Sequence, residues 1–142
     1  MQFKNVIGQN QLKHKFAQTI LSHKVPHAQI FLGNLGHGGL ALALAYAQML
    51  NCESPTENDS CGVCGSCIKT QKLIHPDVHF SFPFPGIIKK DEKIEIAAEL
   101  ISYWRTINTN STYFVLQDWM QLFDSENRQP NIPVKECHDI IK

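Results

Sequence analysis

The sequence contains no long apolar segment. Its longest uninterrupted apolar run, Leu40–Ala47, is much shorter than the roughly 20 residues that a membrane-spanning helix needs. The first residues, Met1–Gly8, also lack the apolar core of a secretory signal peptide. These absences exclude the usual sequence signals for membrane insertion and export. We therefore expect a cytoplasmic protein with no membrane partner.

The sequence also lacks a net charge. Thirteen Lys and Arg residues balance thirteen Asp and Glu residues, so no overall field attracts the chain to nucleic acid or to an anionic membrane. Protein partners are the better expectation. The 142 residues are 43% hydrophobic, which is enough for the core of a single domain. In a reducing cytoplasm, the five cysteines favour a metal site or free thiols over disulfides.

A third absence concerns the glycine-rich stretch Gln29–Leu40, which has the outline of a phosphate-binding loop without its chemistry. Against the pattern G-x-x-x-x-G-K-[ST], Gly33 and Gly38 occupy the two glycine positions. Gly39 stands in place of the lysine, and Leu40 stands in place of the hydroxyl residue. The candidate residues of this degenerate nucleotide site are Gly33, Gly36, Gly38, Gly39 and Leu40.

We expect this loop to bind ATP weakly or not at all, and we expect no ATPase activity from it. The missing lysine would neutralise the terminal phosphates, and the missing hydroxyl would hold Mg²⁺. An alternative stays open at this point, because glycine-rich turns between a strand and a helix also permit tight chain reversal and close helix packing.

The remaining patterns predict an α/β fold. The short apolar segment Ala28–Leu32 predicts a buried parallel strand, and alternation over Val78–Phe82 predicts a second strand. The Leu- and Ala-rich segment Gly39–Leu50 predicts a buried helix between them. Other patterns predict helices over Gln9–His23 and Ile94–Ile107, a helix or turn over Ile68–Leu73, short helices beginning near Asp118 and Pro133, and a solvated turn at Lys89–Lys93.

Four cysteines follow one another with the spacing C-x8-C-x2-C-x2-C. They are Cys52, Cys61, Cys64 and Cys67. Four thiolates at such spacing can close a tetrahedron around a metal ion and leave no open position for water, so we predict a structural zinc site in an insert spanning residues 52–67. An iron–sulfur cluster and a site without metal are the alternatives. The fifth cysteine, Cys137, is isolated in the sequence and is expected to be a buried thiol.

A second group of potential ligands follows the cysteines. His75 could replace one of the cysteines, or it could join Asp77 and His79 in a metal or acid–base site. No further carboxylate or nucleophile lies within reach in the sequence, which favours structural or solvated histidines.

Several short segments, each unspecific alone, occur together over residues 3–82. They are Asn5–Gln9, Pro26–Ala28, Phe31–Gly33 with its glycine loop, Ala43–Ala47, the four cysteines, and His75–Asp77. This combination resembles the N-terminal part of the bacterial DNA polymerase III clamp-loader subunits. Residues 83–142 match the same family only loosely.

The resemblance implies an AAA+ fold, which is a P-loop NTPase-like parallel sheet with flanking helices. Residues 1–142 would form the N-terminal part of this domain and carry the cysteine module as an insertion. The resemblance also implies a place in an assembly with gamma/tau and delta subunits, which opens a sliding clamp and loads it on primed DNA during replication.

Two kinds of subunit share this layout. The gamma/tau subunits keep a working phosphate loop and act as motors, whereas delta-prime subunits commonly have a degraded loop and act as a rigid stator. Gly39 and Leu40 make this chain resemble the delta-prime type, for which a non-catalytic role is expected. The alternatives are a gamma/tau-type ATPase and a small zinc-dependent nucleic-acid-binding module. The last would need basic and aromatic residues around the cysteines, where only Lys69 and Lys72 lie close in sequence.

The family's sheet also bears on the extent of this chain. In that sheet the first two strands are not neighbours, so Ala28–Leu32 would lack both of its partners here. We therefore expect an N-terminal fragment of a longer protein with an incomplete sheet. Because unpaired apolar edges attract other chains, we expect the isolated fragment to self-associate or to pair its strands in an arrangement that differs from the family's.

Overall fold

A computed structural model describes residues 1–86, 93–125 and 127–140. The chain divides into two compact units, Met1–Val78 and His79–Lys142. Residues 89–92 of the predicted turn and the side chain of Cys137 lie outside the described part. None of the described helices is both long enough and apolar enough to cross a lipid bilayer.

The first unit is helical. A 3-10 turn at Phe3–Asn5 precedes α1 (Asn10–Leu21), α2 (Gly39–Leu50) and α3 (Gly65–Gln71). The predictions of α1 and α2 are therefore confirmed, and the helix leaving the cysteine loop begins three residues before the predicted segment. Buried residues of α2 lie on most of its circumference: Ala41, Leu42, Leu44, Ala45, Tyr46, Gln48 and Met49. This burial explains why the segment lacks an amphipathic stripe.

Aromatic side chains join α1 and α2. The ring of Phe16 lies 5.0 Å from Tyr46 and 5.3 Å from Phe31, measured between ring centroids. Ala17 and Ile20 of α1 are also buried. The amphipathic pattern of α1 thus places Ala17 and Ile20 in the core of this unit, whereas Leu12 and Leu21 are 41% and 36% exposed.

The predicted parallel sheet is wrong for the part of the chain that the structure describes. Residues 28–32 and 78–82 have no regular secondary structure and do not pair as strands, and the β-bridge between described residues is an isolated antiparallel one that joins Phe84 and Asn131. A strand forms only where neighbouring strands accept and donate its backbone hydrogen bonds, and residues 28–32 meet no such neighbour. The segment is also not buried as predicted, since Ile30 is 84% and Leu32 is 91% exposed.

The second unit contains three further helices in its described part. They are α4 (Ile101–Asn110), α5 (Leu116–Gln121) and α6 (Val134–Ile140), with a 3-10 turn at Ala97–Leu100 before α4. The helix predicted from residue 94 thus begins later than expected. Asp118 lies in the first turn of α5, where its carboxylate accepts the backbone N–H of Val115 at 2.8 Å. Pro133 precedes α6 directly, close to its predicted position.

The core of the second unit is aromatic. Phe82 stacks on Trp104 with ring centroids 4.4 Å apart and an interplanar angle of 14°. Trp119 meets Trp104 edge-on at 5.5 Å, and its indole N–H donates to the carbonyl of Pro83 at 2.8 Å. Both tryptophans of the sequence therefore lie in this unit, so tryptophan fluorescence reports on it and not on the cysteine module.

Candidate metal centre and glycine loop

The four spaced cysteines converge in the first unit. The sulfur atoms of Cys52, Cys61, Cys64 and Cys67 all lie within 4.8 Å of one another. Cys61 Sγ and Cys67 Sγ are 3.9 Å apart, which is close to the ~3.8 Å edge of a tetrahedron with zinc–sulfur bonds of about 2.3 Å. Four cysteines in this arrangement could hold a metal ion, and the donor set is the one that structural zinc sites use.

Backbone amides of the same loop point at the sulfur atoms. The N–H of Cys61 donates to Cys52 Sγ at 3.3 Å, that of Cys64 to Cys61 Sγ at 3.4 Å, and that of Cys67 to Cys64 Sγ at 3.4 Å. The last bond also caps the N-terminus of α3, because Cys64 precedes its first residue. The turn after Cys61 is possible because Gly62 adopts a φ of +76°. Such N–H···S bonds stabilise thiolate over thiol, as a metal centre requires.

The thiols differ in their tendency to ionise. Hydrogen bonds from the backbone N–H groups of Val63 and Cys64 lower the pKa of Cys61 to about 6. Burial raises the pKa of Cys67 to about 12, and burial also raises the pKa of Cys52. A divalent cation would offset the cost of burying these thiolates, because it takes the place of the protons.

A second network holds the loop between Cys52 and Cys61 against the beginning of the chain. Asp59 Oδ1 accepts the N–H of Phe3 at 2.9 Å, and Asp59 Oδ2 accepts the N–H of Lys4 at 3.0 Å. The side-chain amide of Gln2 donates to the carbonyl of Ser60 at 2.8 Å. The 3-10 turn is therefore anchored on the cysteine module.

The glycine loop joins residues 28–32 to α2. Gly36 and Gly38 have φ values of +78° and +81°, which non-glycine residues rarely adopt. Gly38 caps α2, and Gly39 is its first residue. The positions of the missing lysine and hydroxyl are therefore the first two positions of the helix, as in a phosphate loop that runs into a helix N-terminus.

An open groove of about 470 Å³ lies beside this loop. Of the five candidate nucleotide residues, Gly33, Gly38 and Gly39 line the groove, whereas Gly36 and Leu40 do not. Its lining includes His37 but, within the described ranges, no lysine, arginine or carboxylate. The described lining thus combines apolar and glycine residues with the polar side chains of Gln9, Asn34 and His37, and it contains no lysine or arginine to bind a triphosphate.

Several residues of the module could not have been found from the cysteine spacing. Asp59 bonds to main-chain groups 55 and 56 positions earlier in the sequence, and no local pattern predicts such a contact. Ser66 and His75 form a side-chain hydrogen bond of 2.8 Å. The proline and aspartate that follow His75 drew attention to this histidine in the sequence, but nothing in the sequence indicated that Ser66 is its partner.

The family of the chain follows from comparison with known proteins. The family model described as DNA polymerase III, delta subunit, matches residues 8–131. The chain belongs to this clamp-loader family. Among curated members of DNA polymerase III, subunit tau of Escherichia coli is 34% identical over 65 residues, and subunit tau of Bacillus subtilis is 31% identical over 65 residues. These two matches each cover 46% of this chain.

The clamp-loader relatives are much longer than this chain. The aligned region covers 10% of the Escherichia coli subunit tau and 12% of the Bacillus subtilis subunit tau. Protein STICHEL-like 4 of Arabidopsis thaliana is 33% identical over 66 residues, which is 46% of this chain and 7% of that protein. No solved structure matches the chain.

Proposed function

We propose that this chain is the N-terminal part of a delta-prime-type clamp-loader subunit, which acts as a non-catalytic stator. In the cytoplasm it would assemble with gamma/tau and delta subunits, and through that complex it would help load the sliding clamp on primed DNA. The observation that carries the proposal is the identity of the first two residues of α2, Gly39 and Leu40.

The chemistry of phosphoryl transfer explains the weight of these two residues. A loop lysine neutralises the β- and γ-phosphates, and a loop hydroxyl binds Mg²⁺, so both stabilise the charge that moves in the transition state. Glycine and leucine side chains provide neither interaction. Among the described residues that line the groove, His37 is the one basic side chain, which supports at most weak nucleotide binding through the backbone amides of the loop.

The proposal includes a structural zinc ion held by Cys52, Cys61, Cys64 and Cys67. Its support is the convergence of four sulfur atoms within 4.8 Å and the N–H···S bonds that accompany them. With four cysteine ligands, the zinc would have no open coordination position, so it would hold the module together and would not activate water.

A motor subunit of the gamma/tau type is the second candidate. It is favoured by the names of the curated relatives, which include subunits tau and gamma of DNA polymerase III. The loop sequence argues against it, and the two candidates differ in a measurable property. A motor must bind Mg·ATP tightly enough to be saturated in the cell, whereas the stator does not.

Calorimetric titration with Mg·ATP separates the two candidates. For the stator we expect no saturable binding at micromolar concentrations, together with co-purification of the chain with gamma/tau and delta subunits. Micromolar affinity for Mg·ATP would favour the motor. Failure to co-purify with either partner, in the presence of a correctly folded chain, would contradict a place in the clamp loader.

A further inference from the structure

His75 lies at the edge of the cysteine module without belonging to the sulfur cluster. Its side chain is 9% exposed, and its Nε2 atom lies 2.8 Å from the hydroxyl of Ser66. Its other ring nitrogen, Nδ1, accepts the backbone N–H of Asp77 at 3.2 Å. Both ring nitrogens of His75 therefore form hydrogen bonds, and neither belongs to the group of four sulfur atoms that could hold a metal ion.

The direction of these hydrogen bonds follows from the donors available. Because Nδ1 accepts a backbone N–H, the neutral ring carries its proton on Nε2, which donates to Ser66 Oγ. The hydroxyl of Ser66 in turn donates to the carbonyl of Asn51. The serine proton thus points away from the histidine, which is the opposite of what a nucleophilic serine and its general base require.

Ser66 connects the two halves of the cysteine module. It lies between Cys64 and Cys67 at the beginning of α3, and its hydroxyl donates to the carbonyl of Asn51, the residue that follows α2. Its backbone N–H donates to the carboxylate of Glu53 at 3.2 Å. Asn51 and Glu53 flank Cys52. One serine therefore fixes the residues on both sides of Cys52 relative to Cys64 and Cys67.

We propose that His75 is a positioning residue of the metal centre, acting through Ser66. The hydrogen bond from His75 orients the serine hydroxyl towards Asn51. That contact fixes the position of Cys52, which follows Asn51, relative to Cys64 and Cys67 at the beginning of α3. This inference rests on the proposed zinc site. Substitution of a residue that orients a metal ligand from outside the coordination sphere commonly lowers metal affinity, although the ligands themselves stay the same.

Substitutions at His75 can test each of its two contacts separately. The side-chain amide of glutamine places an N–H near the position of Nε2, so His75→Gln keeps the bond to Ser66. Asparagine is shorter and places its amide near Nδ1, so His75→Asn keeps only the contact with Asp77. His75→Ala removes both contacts, Ser66→Ala removes the relay, and the exposed His79 provides the matched control His79→Ala.

The measurement is the rate of zinc transfer from the full chain to a chromogenic chelator, with Co²⁺ absorption as the second readout. We expect His75→Ala and His75→Asn to lose zinc at least about tenfold faster than the unmodified chain, within the range known for outer-shell residues. His75→Gln and His79→Ala should behave like the unmodified chain. The Co²⁺ charge-transfer bands should stay those of four thiolates in every variant. The double variant His75→Ala/Ser66→Ala should lose zinc no faster than the faster single variant.

The outcomes separate the inference from the proposed function. If the unmodified chain holds no zinc, the metal centre and the role of His75 both fail. If zinc is bound and His75→Ala releases it no faster than His79→Ala, only the role of His75 fails. If His75→Asn restores zinc retention better than His75→Gln, the contact with Asp77 matters instead of the relay through Ser66, and the inference is overturned. The helix content measured by circular dichroism identifies any variant that does not fold. If His75→Ala does not fold, the rates of zinc loss from the equally polar variants His75→Gln and His75→Asn are compared instead.

Discussion

The side-chain amide of Gln2 lies against Gly62 of the cysteine loop. A Cβ atom added at Gly62 would be 2.7 Å from both Nε2 and Oε1 of Gln2, which is too close for a carbon atom. Gln2 is buried and donates to the carbonyl of Ser60. Displacement of the Gln2 amide by an added Cβ would therefore strain or break that hydrogen bond.

The first prediction is that Gly62→Ala destabilises the module. The residue has a φ of +76°, for which a Cβ atom costs roughly 1–2 kcal/mol, and displacement of Gln2 adds to this cost. Chemical denaturation monitored by far-ultraviolet circular dichroism measures the change. Gly8→Ala is the matched control, because Gly8 also has a positive φ of +64° but no atom lies within 4 Å of its added Cβ. Equal losses for both variants would show that the contact with Gln2 contributes nothing.

How much of the fold the sequence predicts depends on how local the causes are. The bounds of α2 follow from a glycine cap and a run of Leu and Ala, all within the segment itself. The cysteine cluster follows from the spacing of its members, since Cys61, Cys64 and Cys67 follow one another only three residues apart along the chain. The strand at residues 28–32 depends on pairing partners far away in the chain, and its composition carries no information about whether they are present.

The same distinction applies to the candidate site. The glycines and cysteines stand out as residue types. Few residues other than glycine adopt a positive φ, and cysteine is the residue that binds a metal as a thiolate. Ser66, Asp59 and Gln2 are ordinary polar residues in the sequence. Their roles come from distances of 2.8–3.2 Å to groups elsewhere in the module, which only the folded chain reveals.

The second prediction concerns the metal itself. Protein purified without chelator should contain about one zinc per chain, and less than a tenth of that would contradict the assignment. Cys64→Ser removes one thiolate ligand, whereas the serine hydroxyl can still cap the N-terminus of α3, so this variant should lose its zinc because of the missing ligand. Hydrogen exchange should accelerate over residues 52–72 and stay slow in the part of α2 that packs on Phe31. Cys137→Ser, which changes the fifth cysteine of the sequence, should retain the metal.

The third prediction concerns repair of the glycine loop. In Gly39→Lys/Leu40→Thr, the lysine meets no atom within 4 Å of its Cβ at position 39, so the substitution is sterically possible. We expect this double variant to gain weak Mg·ATP binding in a calorimetric titration. We expect no turnover, because the groove's described lining contains no carboxylate to orient water and no arginine to stabilise the transition state.

The control for this repair is Gly86→Lys in the second unit. It adds the same charge at a glycine with no atom within 4 Å of its added Cβ. Equal nucleotide binding by this control would mean that net charge, and not the loop, attracts ATP. Measurable hydrolysis by the repaired loop would show that the catalytic groups are present after all.

The fourth prediction concerns the acid dependence of the second unit. Glu95 accepts hydrogen bonds from Lys135 and Lys93, which lower its pKa from 4.5 to about 2. A lowered pKa means that the ionised carboxylate favours the folded state. This contribution is therefore complete above about pH 4.5 and disappears as the pH falls through about 2.

Carbon NMR titration of the Glu95 carboxyl should show the low midpoint, and high salt should raise it because the pairs are exposed to solvent. Glu95→Gln should make stability less dependent on pH between about 4.5 and 2. Glu57→Gln removes the same charge from the other unit and serves as the control. A midpoint at the ordinary glutamate value would show that the lysines do not hold this carboxylate.

The last prediction concerns self-association of the chain through the uncovered face of residues 28–32. Phe31 and Gln29 face the helices of the first unit, where Gln29 Nε2 donates to the hydroxyl of Tyr46 at 2.6 Å. Ile30 and Leu32 alternate with them and are 84% and 91% exposed. The segment thus has the side-chain alternation of a strand, with one face packed and the other bare.

A second copy of the chain is the occupant that this face fits, because two copies of a segment with this alternation can pair and cover each other's apolar side chains. Each fully buried Ile or Leu side chain contributes about 1.5–3 kcal/mol, and a segment without strand partners favours pairing with another chain. We expect sedimentation at tens of micromolar to show dimers or larger species. Leu32→Glu should shift the chain towards monomer, whereas Val134→Glu, at a 73% exposed position in the second unit, should not. If the unmodified chain is strictly monomeric at these concentrations, or if both variants dissociate it equally, then residues 28–32 are not the contact.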